Sequence, residues 1–194
     1  EALEKGISPE VLLNERLDEV PPGSHGLILQ PYWGPGLKMP DAKGAIIGFG
    51  DVHTRAHIYR AIIEGINYAL LEGIEKIEKK TGKTIKEIAV CGGGSQSDTI
   101  CQITADMLNR KIYKGQTYEI SGLGASIIGY VALGVYSSYE EAIKHMFRRS
   151  KEFTPNTNNA EIYALLYKKV YMKIYPSLKN LYKDIKKITG YPKY

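Results

Sequence analysis

Apolar positions set the outline of the chain. Ile58, Ile62, Gly65, Ala69, Gly73 and Ile77 recur at three- to four-residue steps, the period of one helix face. Thr54 stands before the run as an N-cap, and Lys79, Lys80 and Gly82 close it with a basic last turn and a glycine stop. A long helix is therefore predicted there. Upstream, residues 9–19 read as a short helix that Pro21, Pro22 and Gly23 must end, and residues 26–30 as a strand. Residues 31–36 and 38–43 carry too much Pro and Gly for a helix or central strand, so they read as a surface loop beside a functional region or a domain seam. The apolar run 44–49 fits a buried strand, stopped by Gly50 and Asp51.

The second half alternates in the same way. Residues 85–91 are strand-like and lead straight into Gly92-Gly93-Gly94-Ser95-Gln96-Ser97-Asp98. A helix with Ile100, Ile103, Met107 and Leu108 on one face follows, then a short strand over 111–113. Residues 122–134 form a helix of small residues suited to close packing, and residues 138–149 a further helix behind a Ser cap. Beyond Pro155 the pattern is helical through Tyr163, Tyr167, Val170, Ile174, Leu178 and Tyr182, with an interruption expected at Pro176. The fold class predicted by this alternation is α/β.

Composition narrows the reading. The chain has 194 residues, 43% of them hydrophobic and 24% charged, which suits a packed domain and argues against disorder. No apolar run approaches the roughly 18 residues of a bilayer span, and the charged opening segment lacks the pattern of a secretory leader, so a cytoplasmic location is expected. Cys91 and Cys101 stand apart with no zinc spacing around them. The net charge is +5, yet residues 160–194 alone hold eight lysines against Glu161 and Asp184. A uniformly basic nucleic-acid face is not indicated, and a contact through the lysine-rich tail would announce itself by salt-sensitive binding.

The glycine turn is the sharpest chemical signal. Three glycines between a strand and a helix let a ligand reach the backbone, and the helix start offers N–H groups and a positive dipole end, which suits a phosphate. Ser95 and Ser97 are hydroxyl donors or caps there. Asp98 would repel a phosphate and fits a ribose, an adenine amine or a cap. A structural turn is the competing account. Known phosphate motifs are missing: Gly82-Lys83-Thr84 has Ile77 where a P-loop needs glycine, and neither Gly92-Gly93-Gly94 nor Gly122-Leu123-Gly124 is followed by the third glycine of a dinucleotide fingerprint. His53 and His57 have a metal-ligand spacing but no third partner in sequence, so surface residues at a helix start are the plainer reading. Glu64 reads as a paired interior carboxylate bridging helices; Trp33 and the tail tyrosines are candidate stacking platforms, but the tail tyrosines fall at helical spacing and read as a packing face.

Three motifs together resemble the C-terminal domain of the FGGY carbohydrate kinases, within the actin-like ATPase superfamily. Gly44-Ala45-Ile46-Ile47-Gly48-Phe49, followed by His57-Ile58-Tyr59-Arg60-Ala61-Ile62-Ile63-Glu64, looks like the family's second signature, departing at Phe49. Gly92 to Asp98 with Gln102-Ile103-Thr104-Ala105-Asp106 looks like its adenosine motif, with Ile100 near a position that is often aromatic. Gly122-Leu123-Gly124-Ala125-Ser126 is similar to the segment that closes the cleft.

The resemblance implies a ribonuclease H-like actin-type ATPase fold, with residues 1–26 as a lead-in and residues 27–194 as the nucleotide-binding domain with a terminal helical extension. It implies ATP and Mg as cofactors, with Gly92, Gly93, Gly94, Ser95 and Asp98 as the nucleotide-binding residues, of which Gly93 and Gly94 approach the α-phosphate and Ser95 and Asp98 lie beside the adenosine. No catalytic or metal-ligating residue is assigned in this chain, because neither Asp18, Asp41 nor Asp51 has the family's catalytic context. A sugar or polyol is the implied substrate, an N-terminal sugar-binding domain the implied partner, and a second copy of the chain a further candidate partner. The chain is expected to be the C-terminal half of such a kinase, inactive alone; a stand-alone nucleotide-binding or interaction module is the alternative.

Overall fold

A computed structural model describes residues 1–34 and 39–191. Pro35, Gly36 and Lys38 of the expected loop lie outside the described residues. The chain divides into two compact units, Glu1–Lys83 with Thr157–Tyr194, and Thr84–Asn156.

The first unit opens on helix α1 (Pro9–Asn14), capped by Ser8, whose Oγ accepts from the Val11 N–H. The helix expected over 9–19 stops early and resumes only as a 3-10 turn, Leu17–Glu19. Here the Leu17 carbonyl accepts from Arg60 Nη1 at 2.8 Å. Strands β1 (Ile28–Gln30) and β2 (Ala45–Ile47) pair antiparallel as a two-stranded sheet. β1 is buried throughout, whereas β2 is not the buried strand its apolar run predicts: Ile46 is 48% exposed and Phe49, just beyond it, 63%. A strand with one neighbour has an open side, and hydrophobicity alone cannot supply the second layer.

Helix α2 (Arg55–Thr81) runs as the sequence predicts from its Thr54 cap to a left-handed Gly82. Its Ala61 packs with Leu27 and Leu29, and Ile58 and Ile62 join them. Helix α6 (Thr157–Leu166) and helix α7 (Met172–Thr189) complete the unit. The expected break at Pro176 does not occur. The helix instead widens into a π turn over Tyr167–Tyr171, just ahead of the point where proline, lacking an N–H, leaves the Met172 carbonyl without its usual partner. The tail tyrosines are packing residues: Tyr68 of α2 lies 4.8 Å, centroid to centroid, from Tyr171 and 5.9 Å from Tyr167.

One buried network ties this unit together. Glu64 Oε1 accepts from the Gly23 N–H at 3.0 Å, Arg60 Nε at 2.9 Å and the Tyr163 hydroxyl at 2.8 Å, while Oε2 accepts from Ser24 Oγ at 3.1 Å. Arg60 Nη2 donates to the same Tyr163 oxygen at 3.0 Å. Glu64 is thus the paired interior carboxylate expected of it, reaching a turn and a second helix. Burial, reinforced by the Glu64 charge, pushes the Tyr163 hydroxyl pKa up, so it stays protonated and can donate.

The second unit is a strand–helix–strand crossover with an added edge. Strands β3 (Glu87–Val90) and β4 (Lys111–Gly115) run parallel, joined through helix α3 (Asp98–Leu108). Strand β5 (Arg149–Phe153) pairs antiparallel with β4. Helix α5 (Tyr139–Met146) has the predicted Ser138 cap but ends before the expected Arg149, because 149–153 is drawn into the sheet. Helix α4 (Ile120–Ala132) contains no buried residue. A Cβ built at Gly122, Gly124 or Gly129 would meet nothing within 4 Å, so the close neighbour its small residues invite is not among the described residues.

Candidate functional site

The glycine turn leaves the carboxyl end of β3, beside the carboxyl end of parallel β4, the side of an open α/β sheet on which ligands bind. Gly92 has φ +77° and ψ −171°, a conformation open only to glycine without strain, and its N–H donates to the Tyr118 carbonyl at 3.1 Å. Gly93 to Gln96 form a 3-10 turn, in which Gly93 and Gly94 are exposed with open space where a Cβ would project. A ligand therefore has clear access to this backbone.

The hydroxyls are already employed. Buried Ser95 donates through Oγ to the Gly92 carbonyl at 2.8 Å, bracing the turn from within. Ser97 is the cap of α3, accepting from the Ile100 N–H at 3.3 Å. Asp98, first residue of α3, receives Lys114 Nζ on Oδ1 at 2.5 Å and Lys151 Nζ on Oδ2. Lys114 and then Lys151 hold its carboxyl pKa below the usual carboxylate range. Neither lysine stands out in the sequence. They meet because Lys114 and Lys151 face each other across β4 and β5.

One residue before the turn, Cys91 lines an apolar cleft of about 350 Å³ with Gly115, Leu123, Gly124, Ile127 and Phe147. Its thiol is free and exposed; Cys101 is free and buried, with Sγ 3.6 Å from the Ser95 carbonyl. Leu123 and Gly124 of the small-residue segment thus line the same cleft as Cys91, the residue that precedes the turn.

The two histidines sit differently from a surface pair. His57 is buried, and its Nδ1 accepts from the Thr54 N–H at 3.2 Å, completing a capping box. An accepting Nδ1 places the proton on Nε2, which donates to Nδ1 of His25 at 3.0 Å. His25 is the partner that spacing could not reveal. It arrives on a turn in which Gly23, Ser24, His25 and Gly26 all have positive φ. Burial, then the neighbouring His25 and His53, lower the His57 pKa. Among the described residues, no three His, Cys, Asp or Glu side chains gather to hold a metal ion.

The family model described as the FGGY family of carbohydrate kinases, C-terminal domain, matches residues 10–133, well over half of the chain. The chain belongs to that family. This FGGY domain is 32% identical over 173 residues to the xylulose kinase of Bacillus subtilis (strain 168), covering 87% of the chain and 34% of the relative. It is 34% identical over 131 residues to glycerol kinase 2 of Saccharolobus solfataricus, covering 68% of the chain and 25% of that relative. The FGGY chain therefore spans about a third or less of the length of the curated relatives it matches. Among solved structures, ligand-bound xylulose kinase from Lactobacillus acidophilus superposes with a TM-score of 0.79 at 26% identity, over 93% of this chain and 36% of that one. Glycerol kinase of Plasmodium falciparum with ADP shares the fold, with a TM-score of 0.70 at 20% identity over 89% of this chain and 35% of that one. The fold is that of these sugar kinases, the actin-like ATPase fold, as the resemblance implied. Among the described residues no helix is long and apolar enough to cross a membrane.

Proposed function

We propose that this chain is the nucleotide-binding part of an ATP-dependent carbohydrate kinase, which transfers the γ-phosphoryl group to a hydroxyl of a sugar or polyol. The observation that carries the reading is the open glycine turn at the carboxyl ends of two parallel strands in a member of the FGGY family. Gly93 and Gly94 bring backbone N–H groups against the α-phosphate, supported by the positive end of α3, while the Gly92 N–H, bonded to the Tyr118 carbonyl, fixes the start of the turn. The apolar cleft beginning at Cys91 takes the flat base, and Ser95 braces the turn beside the adenosine. Among the solved relatives, the Plasmodium falciparum glycerol kinase was crystallised with ADP.

The same donors do not suit magnesium. Backbone N–H groups repel a cation, and Asp98, the carboxylate of the turn, is shared between two ammonium groups. What this chain does is bind and orient the nucleotide. The proton acceptor for the sugar hydroxyl and the sugar contacts are assigned to an N-terminal domain outside this chain, and the work of such an enzyme is placed in the cytoplasm, where ATP is held.

The test uses the full-length protein, ATP and a panel of sugars and polyols, with release of ADP as the signal. At least one sugar should stimulate release. The Gly94→Ala variant should fold like the parent, since its Cβ meets open space, yet lose roughly tenfold or more in nucleotide affinity. Absence of sugar-dependent turnover across the panel, or full nucleotide affinity in Gly94→Ala, would defeat the proposal.

A further inference from the structure

We propose that Asp98, Lys114 and Lys151 form an ionic clamp that holds the glycine turn in its nucleotide-receiving shape, with Asp98 as a positioning residue and not a ribose contact. The inference rests on the nucleotide reading of the turn and adds to it two residues and a division of roles.

The clamp answers a local problem. Lys114 and Lys151 are register partners on antiparallel strands, and like charges set directly opposite destabilise a sheet. Asp98 resolves the repulsion by giving one carboxylate oxygen to each ammonium. The start of α3 is also where a negative side chain is favoured by the helix dipole. Lys114 reaches further: its Nζ lies 3.4 Å from the Ser95 carbonyl as well as 2.5 Å from Asp98. One ammonium from β4 thus grips both ends of the segment Ser95–Asp98, and Ser95 in turn bonds back to Gly92. With a side chain only 21% exposed, Lys114 is not a loose surface lysine.

Three consecutive glycines give the turn its access and also its freedom to wander. Fixing its far end to the sheet reduces the ordering that a bound nucleotide must impose. A ribose hydroxyl, by contrast, would have to displace an ammonium to reach either oxygen of Asp98.

The experiment measures ADP binding and thermal stability in the full-length protein for the parent and for Asp98→Asn, Asp98→Glu, Lys114→Met and the double variant Asp98→Asn/Lys114→Met. Asp98→Asn and Lys114→Met should each weaken ADP binding by roughly tenfold. Asp98→Glu should recover most of the loss, and the double variant should bind no more weakly than the worse single one, because both break the same clamp. Lys151→Met, which removes the more exposed arm, should show a smaller loss and covers the case in which another variant fails to fold. Asp98 as a ribose contact predicts the reverse for Lys114→Met, since freeing an oxygen leaves binding unchanged or tighter; that result overturns the clamp. So does an Asp98→Asn variant that binds ADP as the parent does. A parent that binds no ADP overturns the nucleotide reading and the clamp's role with it.

Discussion

At the scale of single residues, His57 links a helix cap to a proton. Its Nδ1 accepts from the Thr54 N–H only while it carries no proton, and its Nε2 faces His25, with His53 edge-on at 5.5 Å between ring centroids. The folded-state pKa lies below the ordinary histidine value of 6.5. The unfolded chain therefore takes up the proton first on acidification. The stabilising contribution is complete above about pH 6.5 and is lost as the pH falls from there through the folded-state value. Glutamine at this position can accept from the same N–H, since Thr-x-x-Gln is itself a capping box. Thermal unfolding followed between about pH 7.5 and 5.5 should show a smaller fall in Tm for His57→Gln than for the parent. Equal slopes would mean that this cap does not report on pH. The chemistry of His57 was out of reach of the sequence, in which His25 stands 32 positions away. Lys114 and Lys151 were hidden for the same reason: their meeting depends on strand register, which a one-residue slip would undo.

At the scale of elements, α2 and β1 are held at a spacing that only glycine permits. A Cβ on Gly65 would stand 2.5 Å from the Leu29 carbonyl oxygen and 2.8 Å from Leu29 Cδ2, and the first of these is backbone that cannot rotate away. Gly65→Ala should therefore cost about 1–3 kcal/mol despite alanine's higher helix propensity, measured as a lower denaturation midpoint. An unchanged or higher midpoint would show that α2 can shift on the strand freely. The elements that could be read from sequence are those whose signals are local. The cap at Thr54, the spacing through Ile77 and the stop at Gly82 all lie within α2 itself. The glycine turn was legible for the same reason, lying between a strand and a capped helix. β5 was not, since Arg-Ser-Lys-Glu-Phe carries almost no apolar alternation and becomes a strand by pairing with β4. Pro176 misled because the rule against proline in helices takes no account of a wide turn placed just upstream.

At the scale of the whole protein, the chain matches about a third of each xylulose kinase relative, and the proposed function divides the labour of phosphoryl transfer accordingly. The proposed role of the glycine turn is to take an anion: its donors are backbone N–H groups, and its carboxylate is already neutralised by two lysines. Under the proposed function, holding the adenosine and the first phosphate therefore needs no metal from this part of the molecule. Charge neutralisation around the transferred group is a separate requirement of the reaction. These two demands can be separated in the full-length protein by removing divalent cations. With EDTA present, ADP binding should stay within roughly threefold of its value with magnesium, whereas sugar-dependent turnover of ATP should stop. Calorimetry with ADP and a coupled assay with ATP, run on one preparation, read the two quantities side by side. Loss of ADP binding together with turnover would mean that the metal, not the glycine turn, is the principal anchor of the nucleotide, and residues 92–98 would lose their role as its main binding element.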